Sequence, residues 1–209
     1  MRCRHDGGVS PITHFLSGWV LATGAGLERR DRLFVTLAGV IPDVDGFGLP
    51  FEMLTRSSAH PITWWSDYHH VLAHNVGFAL LTAVAVLVLS TRKWATVVLA
   101  LLSFHLHLFE DLVGARGPDG HQWPIPYLLP FSNGCQWLWR GQWALNAWPN
   151  FVLTLFLLGV TLYYAWKEGH SPLGLFSVRA DAAFVQTLRR RFGAVDSVHP
   201  ETSSNHLRL

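Results

Sequence analysis

Long apolar stretches constrain this chain most, because each must be buried in a core or in a bilayer. Val71 to Ser90 carries no Asp, Glu, Lys or Arg. At about 20 residues it matches a hydrocarbon core about 30 Å thick. Thr91-Arg92-Lys93 ends it, and Trp94 to Leu112 follows as a second stretch. Phe151 to Trp166 is a third. Phe15 to Leu27 and Leu33 to Ile41 are shorter, and the charged cluster Glu28-Arg29-Arg30-Asp31-Arg32 separates them. Proline disfavours helix at the residue before it, so Pro42 predicts a break at Ile41. Asp43, Asp45, Gly46 and Gly48 then read as an extended turn.

Composition agrees with a membrane chain. Of 209 residues, 14% are charged, against roughly a quarter in soluble domains. Mean hydropathy is +0.24. The net charge of +2 and the lack of a basic stripe with interleaved aromatics argue against a nucleic-acid partner. Ten tryptophans suit membrane–water boundaries, where an apolar ring with one N–H donor is favoured. Cys3 and Cys135 are too few for a disulfide framework and read as free thiols. Residues 1–9 are polar and do not read as a signal peptide. Residues 49–68 read as a polar, aromatic loop, and residues 113–147 as a long loop rich in Trp, Pro and Gly. Val178 to Phe192 reads as a helix on the membrane surface. The fold class predicted is all-α, an integral membrane bundle of four to five embedded helices.

Positive residues near spans tend to remain cytoplasmic. The Arg29–Arg32 cluster, Arg92-Lys93 and the tail with Arg189-Arg190-Arg191 therefore share the inner side. The chain then runs inward through 15–27, outward through 33–48, inward through 71–90, outward through 94–112 and inward through 151–166. This path brings His14, Asp43, Asp45, His69, His70, His74, His105, His107 and Asp111 to the outer face. Ionisable residues in membrane segments are costly and point to function. His and Asp together suit zinc, and also manganese or iron. Helical spacing of four puts His107 with Asp111, and His70 with His74, on common faces. It sends His105 to a different side from His107. Glu110, next to Asp111, is a possible supporting group or base, but neither role is required of it. His5, His60, His121, His170, His199 and His206 read as ordinary hydrogen-bonded histidines. The expected organisation is a membrane-embedded metal-binding domain over residues 1–168 and a polar, basic cytoplasmic tail over 169–209.

Several ordered elements carry a family resemblance. They are Thr13-His14, then Ile41-Pro42-Asp43-Val44-Asp45, then His69-His70-Val71-Leu72-Ala73-His74-Asn75, then His107-Leu108-Phe109-Glu110-Asp111, with Leu128-Leu129-Pro130-Phe131-Ser132 beyond. In this order, over about residues 11 to 166, the chain resembles the YdjM-type family of bacterial inner-membrane proteins. The resemblance implies a metal-dependent hydrolase with His14, Asp43, Asp45, His69, His74, His107 and Asp111 as ligand positions. It selects His69, where spacing alone favours His70. The segment departs from the family pattern at His70, Val71, Ala73 and Asn75, where the family has Arg, Gly, Thr and Ser.

Seven ligands exceed the four that one zinc needs, so one or two divalent ions are expected, zinc first and manganese or iron as alternatives. Paired ions about 3.5–4 Å apart can activate water and stabilise a leaving oxygen. Asp43 and Asp45 are the candidate catalytic carboxylates. The function expected is hydrolysis of an ester or phosphoester at the membrane interface of the inner membrane, on a lipid or small-molecule substrate among membrane lipids. A metal transporter or sensor would use similar ligands but needs polar groups continuing inward, and Leu80–Leu89 and Val97–Leu102 are apolar. A haem protein or a purely structural membrane protein would leave the aspartates without a purpose, and a non-catalytic metal-binding membrane protein stands as a further alternative. The substrate and the oligomeric state are not legible.

Overall fold

The computed structural model describes residues 11–117 and 120–193. Cys3, His5, His199, His206 and the basic residues Arg2 and Arg4 lie outside the described residues. Among those described, the chain is all-helical: α1 (Pro11–Gly24), α2 (Arg29–Ala38), α3 (Gly48–Thr55), α4 (Trp64–Tyr68), α5 (Val76–Leu89), α6 (Lys93–Gly114), α7 (Trp148–Glu168) and α8 (Val178–Phe192). It divides into two compact units, Met1–Leu162 and Tyr163–Leu209.

Fewer helices can cross a bilayer than the four to five expected. Among the described residues, only α6, with 22 residues, and α7, with 21, are long and apolar enough, and α2 with the segment 41–55 makes a third if the pair, bent by 53°, is one broken span. The stretch 71–90 fails because its first five residues are not helical. Helix α5 has 14 residues. At about 1.5 Å per residue it is about 21 Å long, short of a core about 30 Å thick. Hydropathy registers the apolar run but not where the backbone starts to coil. Asn75 marks that point, since its side chain accepts from the Phe78 N–H as an N-cap.

The charged cluster at 28–32, which interrupts the apolar pattern, opens α2. Asp31 is fully buried there. It accepts from the backbone N–H groups of Thr91 and Arg92 at 2.7 and 2.8 Å, and from the Thr96 hydroxyl at 3.0 Å. One carboxylate thus satisfies free donors at the start of α6, as an anion at a helix N-terminus should. Residues 49–68 are also not simply a loop. Helices α3 and α4 fold against each other there, tied where Glu52 accepts from the Ser66 amide and hydroxyl.

Helices α1, α2, α5 and α6 pack together. Ala22, Leu27, Val35, Ala38, Val86, Val97 and Ala100 form one buried cluster. Phe104, Leu108, Ala79 and Ile125 form a second. The large side chains Leu80, Leu81, Val84 and Val88 of α5 point outward, as do Phe151, Val152, Leu155 and Phe156 of α7. Such an exposed apolar surface suits lipid rather than water. Small residues set the inner contact. A Cβ on Gly18 would lie 2.7 Å from the Ser103 hydroxyl, and one on Gly39 would lie 2.6 Å from it. Close approach at small residues is how membrane helices gain packing contacts. Here it brings α1, the end of α2 and α6 together one turn from His14 and His107. The 113–147 segment is irregular where described. Its carbonyls at Tyr127 and Leu129 accept from Val76 and Gly77, at the start of α5.

Replacing Asp31 by Ala should destabilise the protein by about 2 kcal/mol, because buried donors at the start of α6 lose their acceptor. Denaturant unfolding in detergent measures this, and an unchanged midpoint would show that the cap is not needed.

Candidate metal centre

Four segments deliver the site. Helix α1 brings His14, and α6 brings His107, Glu110 and Asp111. A 3-10 helix over Ile41–Phe47 brings Asp43 and Asp45. This replaces the extended turn expected after Pro42, which sits in its first turn where its missing N–H costs nothing. The irregular segment between α4 and α5 brings His69, His70 and His74. His70 and His74 are therefore not helical neighbours four apart. His70 has φ +65°, a left-handed conformation that costs an L-residue roughly 1–2 kcal/mol. The His69 and His70 rings lie 4.1 Å apart there, His69 paired with Asp45 and His70 facing Asp111.

The structure brings two sets of donors together. His14, Asp43, His107 and Asp111 form one, and His70, His74 and Asp111 the other. Asp111 belongs to both. Its Oδ1 lies 3.4 Å from His14 Nε2. Its Oδ2 lies 3.0 Å from His107 Nε2, 3.3 Å from His74 Nε2 and 3.7 Å from His70 Nε2. Asp43 Oδ1 lies 3.8 Å from His107 Nε2. His69 and Asp45 stand in neither set. They pair with each other at 2.9 Å, and Asp45 also takes His74 Nδ1 at 3.0 Å and the Ala73 amide at 3.3 Å. His105 turns away, bonded to the Leu101 carbonyl and the Tyr127 hydroxyl. His60, His121 and His170 stand in neither set.

The far nitrogens of three rings fix which tautomer each adopts. His107 Nδ1 lies 2.8 Å from the Gly39 carbonyl, which can only accept. That nitrogen therefore carries the proton. His14 Nδ1 donates to Glu110 at 2.6 Å, and His74 Nδ1 donates to Asp45. In the neutral rings all three Nε2 atoms are then lone pairs. His74 Nε2 and His107 Nε2 face each other at 3.1 Å. Two lone pairs at that distance repel unless a proton or a metal cation lies between them. His14 Nε2, Asp43 Oδ2, His70 Nδ1 and Asp111 Oδ2 are buried without a hydrogen bond. Four such atoms gathered at one place are rare in folded proteins. Burial, with His74 alongside, pushes the His70 pKa well below the usual imidazole value, so its ring is neutral at neutral pH.

These features fit a metal. Ligands about 2.1 Å from a tetrahedral ion stand about 3.4 Å apart, close to the spacings around Asp111. Imidazoles whose second nitrogen is tied to a carboxylate or carbonyl are the usual ligands of such sites. The His and Asp groups can therefore hold a metal ion.

Glu110 is a group to which sequence reasoning assigned no firm role. It is buried, and its other oxygen accepts from the Ser17 hydroxyl at 2.5 Å. Its position beside Asp111 was a weak signal. Gly39 could not be found, since only its backbone takes part. Trp65 also lay unnoticed, and its ring stacks on His69 at 3.7 Å.

An all-helical chain with outward-facing apolar helices and a buried His/Asp cluster is a membrane protein with a candidate metal centre. The family model for the YdjM inner membrane protein matches residues 9–189. The chain belongs to that family, and the inner membrane is its place. No curated protein and no solved structure matches it.

Two outcomes follow from this geometry. Asp111→Ala should remove more bound metal than His69→Ala, as measured by inductively coupled plasma mass spectrometry on purified protein. Equal losses would contradict the shared position of Asp111. His70→Gly should be more stable than His70→Ala by about 1 kcal/mol, because glycine adopts positive φ freely. Equal unfolding midpoints would show that the turn carries no strain.

Proposed function

We propose that the chain is a membrane-bound, metal-dependent hydrolase that cleaves an ester or phosphoester at the membrane interface. The observation that carries this reading is Asp111, which belongs to both donor sets: its Oδ1 lies 3.4 Å from His14 Nε2, and its Oδ2 lies 3.0 Å from His107 Nε2 and 3.3 Å from His74 Nε2. A carboxylate so placed suits a bridge between two divalent ions, zinc by preference for this donor set, with manganese or iron as alternatives. Divalent cations held there would supply Lewis acidity and a water acidified towards neutral pH.

The protein's own groups divide the remaining work. His14, His107, Asp43 and Asp111 would hold one ion, and His70, His74 and Asp111 the other. Asp43 has the most open side chain among these, at 20% exposure, and its Oδ2 makes no hydrogen bond. It is placed to take a proton from an attacking water. Asp45 has both oxygens engaged, so it orients His74 and His69 rather than acting as the base. His69, named by resemblance as a ligand, supports Asp45 in this reading.

The 3-10 helix that bears Asp43 carries exposed Phe47, and the adjoining α3 and α4 carry exposed Phe51, Leu54 and Trp64. Apolar groups around the approach favour a substrate with a hydrophobic part, and a lipid meets that requirement. The charge distribution supports a multi-pass arrangement with the cluster at the outer face.

The test uses the full chain in lipid nanodiscs, loaded with zinc or manganese, on phosphomonoester, phosphodiester and carboxylic ester lipids. At least one should be cleaved, and Asp43→Asn should lower turnover by about a hundredfold or more while retaining part of the metal. Purified protein without stoichiometric transition metal would refute the proposal.

A further inference from the structure

We infer that Glu110, held by Ser17, is a positioning residue that sets the donor strength and direction of His14. This rests on the metal reading above. The three groups form a short chain across α1 and α6: the Ser17 hydroxyl donates to Glu110 Oε1 at 2.5 Å, and His14 Nδ1 donates to Oε2 at 2.6 Å. Both oxygens of the carboxylate are thereby used, which a buried carboxylate requires. His14 and Ser17 lie three apart on α1, so one helical face presents both to the same carboxylate.

The consequence falls on the other side of the ring. With Nδ1–H committed to Glu110, the neutral His14 ring offers Nε2 as its lone pair. It is buried, makes no hydrogen bond, and points at Asp111 Oδ1, 3.4 Å away. A full negative charge behind the imidazole raises the basicity of that nitrogen. Ring rotation is blocked as well, because His14 lies against His107 with centroids 3.8 Å apart. The arrangement matches those of His74 and His107, which take Asp45 and the Gly39 carbonyl at the same ring position. Two of the three imidazoles thus have an anion behind them and the third a neutral carbonyl. Glu110 is too far along this chain to touch substrate, and it acts through His14.

A purely structural role, in which Glu110 only ties α1 to α6, predicts something different. Glutamine keeps an oxygen that accepts from His14 and so keeps the tie. It removes the charge and reverses the Ser17 contact, with the amide NH2 donating to the Ser17 hydroxyl. The experiment therefore compares wild type, Glu110→Gln, Glu110→Ala and Ser17→Ala as full chains in detergent. Zinc affinity is read by competition with a chromogenic chelator, and unfolding midpoints are read without metal. Cobalt spectra report the ligand field. The expected result is a loss of zinc affinity of about ten- to a hundredfold for Glu110→Ala. Glu110→Gln should show a smaller loss and a shifted cobalt spectrum, with an unfolding midpoint like that of wild type. Ser17→Ala should lie between Glu110→Gln and wild type. Glu110→Gln with wild-type affinity and spectrum would overturn the inference, whether Glu110→Ala folds or not. Wild type that binds no zinc or cobalt would instead overturn the metal reading itself.

Discussion

The structure depends on buried nitrogen and oxygen atoms of histidines and aspartates that converge on one another. His107 Nδ1 must donate to the Gly39 carbonyl, so its Nε2 is a lone pair, and it meets the Nε2 of His74 at 3.1 Å. Asp111 Oδ2 lies against both. Burying such a set is costly unless protons or cations fill it. The surrounding groups are arranged to hold this cost in place. Asp45, Glu110 and the Gly39 carbonyl each claim the outer nitrogen of one ring, which prevents the rings from turning away.

The fold serves that convergence by two means. Small residues let helices approach: Gly18, Gly39 and Ser103 meet where α1, α2 and α6 touch, one turn from His14 and His107. Polar contacts then fix the register. Asp31 clamps the start of α6 from α2, and Gln142 and Asn150 reach back to carbonyls at its end. With both ends of α6 held, His107, Glu110 and Asp111 are set against α1 and the 3-10 helix. The apolar exterior of α5 and α7 contributes little to this geometry and instead suits contact with lipid.

Much of this was legible in the sequence, for identifiable reasons. Apolar runs and sparse charge marked a helical membrane chain. His107 and Asp111 could be paired because helical periodicity is regular within α6. The boundaries of α8 were readable, since Ser177 caps its start and a basic last turn ends at Gly193. Other features escaped because they depend on tertiary contacts. Hydropathy could not distinguish a 20-residue apolar run from a 14-residue helix preceded by a coil, so the number of spans was overestimated. The positive φ of His70 has no sequence signal, so periodicity was applied to a segment that is not helical. Glu28–Arg32 reads in sequence only as a break in the apolar pattern, because the partners that bury Asp31 lie some sixty residues away at the start of α6. Gly39 acts through a carbonyl that every residue possesses.

The most direct test of the account is X-ray absorption at the zinc edge of the purified, zinc-loaded chain. The account predicts a first shell of nitrogen and oxygen at about 2.0–2.2 Å, with the outer-shell scattering of more than one imidazole. A shell containing sulfur, or one of oxygen alone without imidazole, would contradict it.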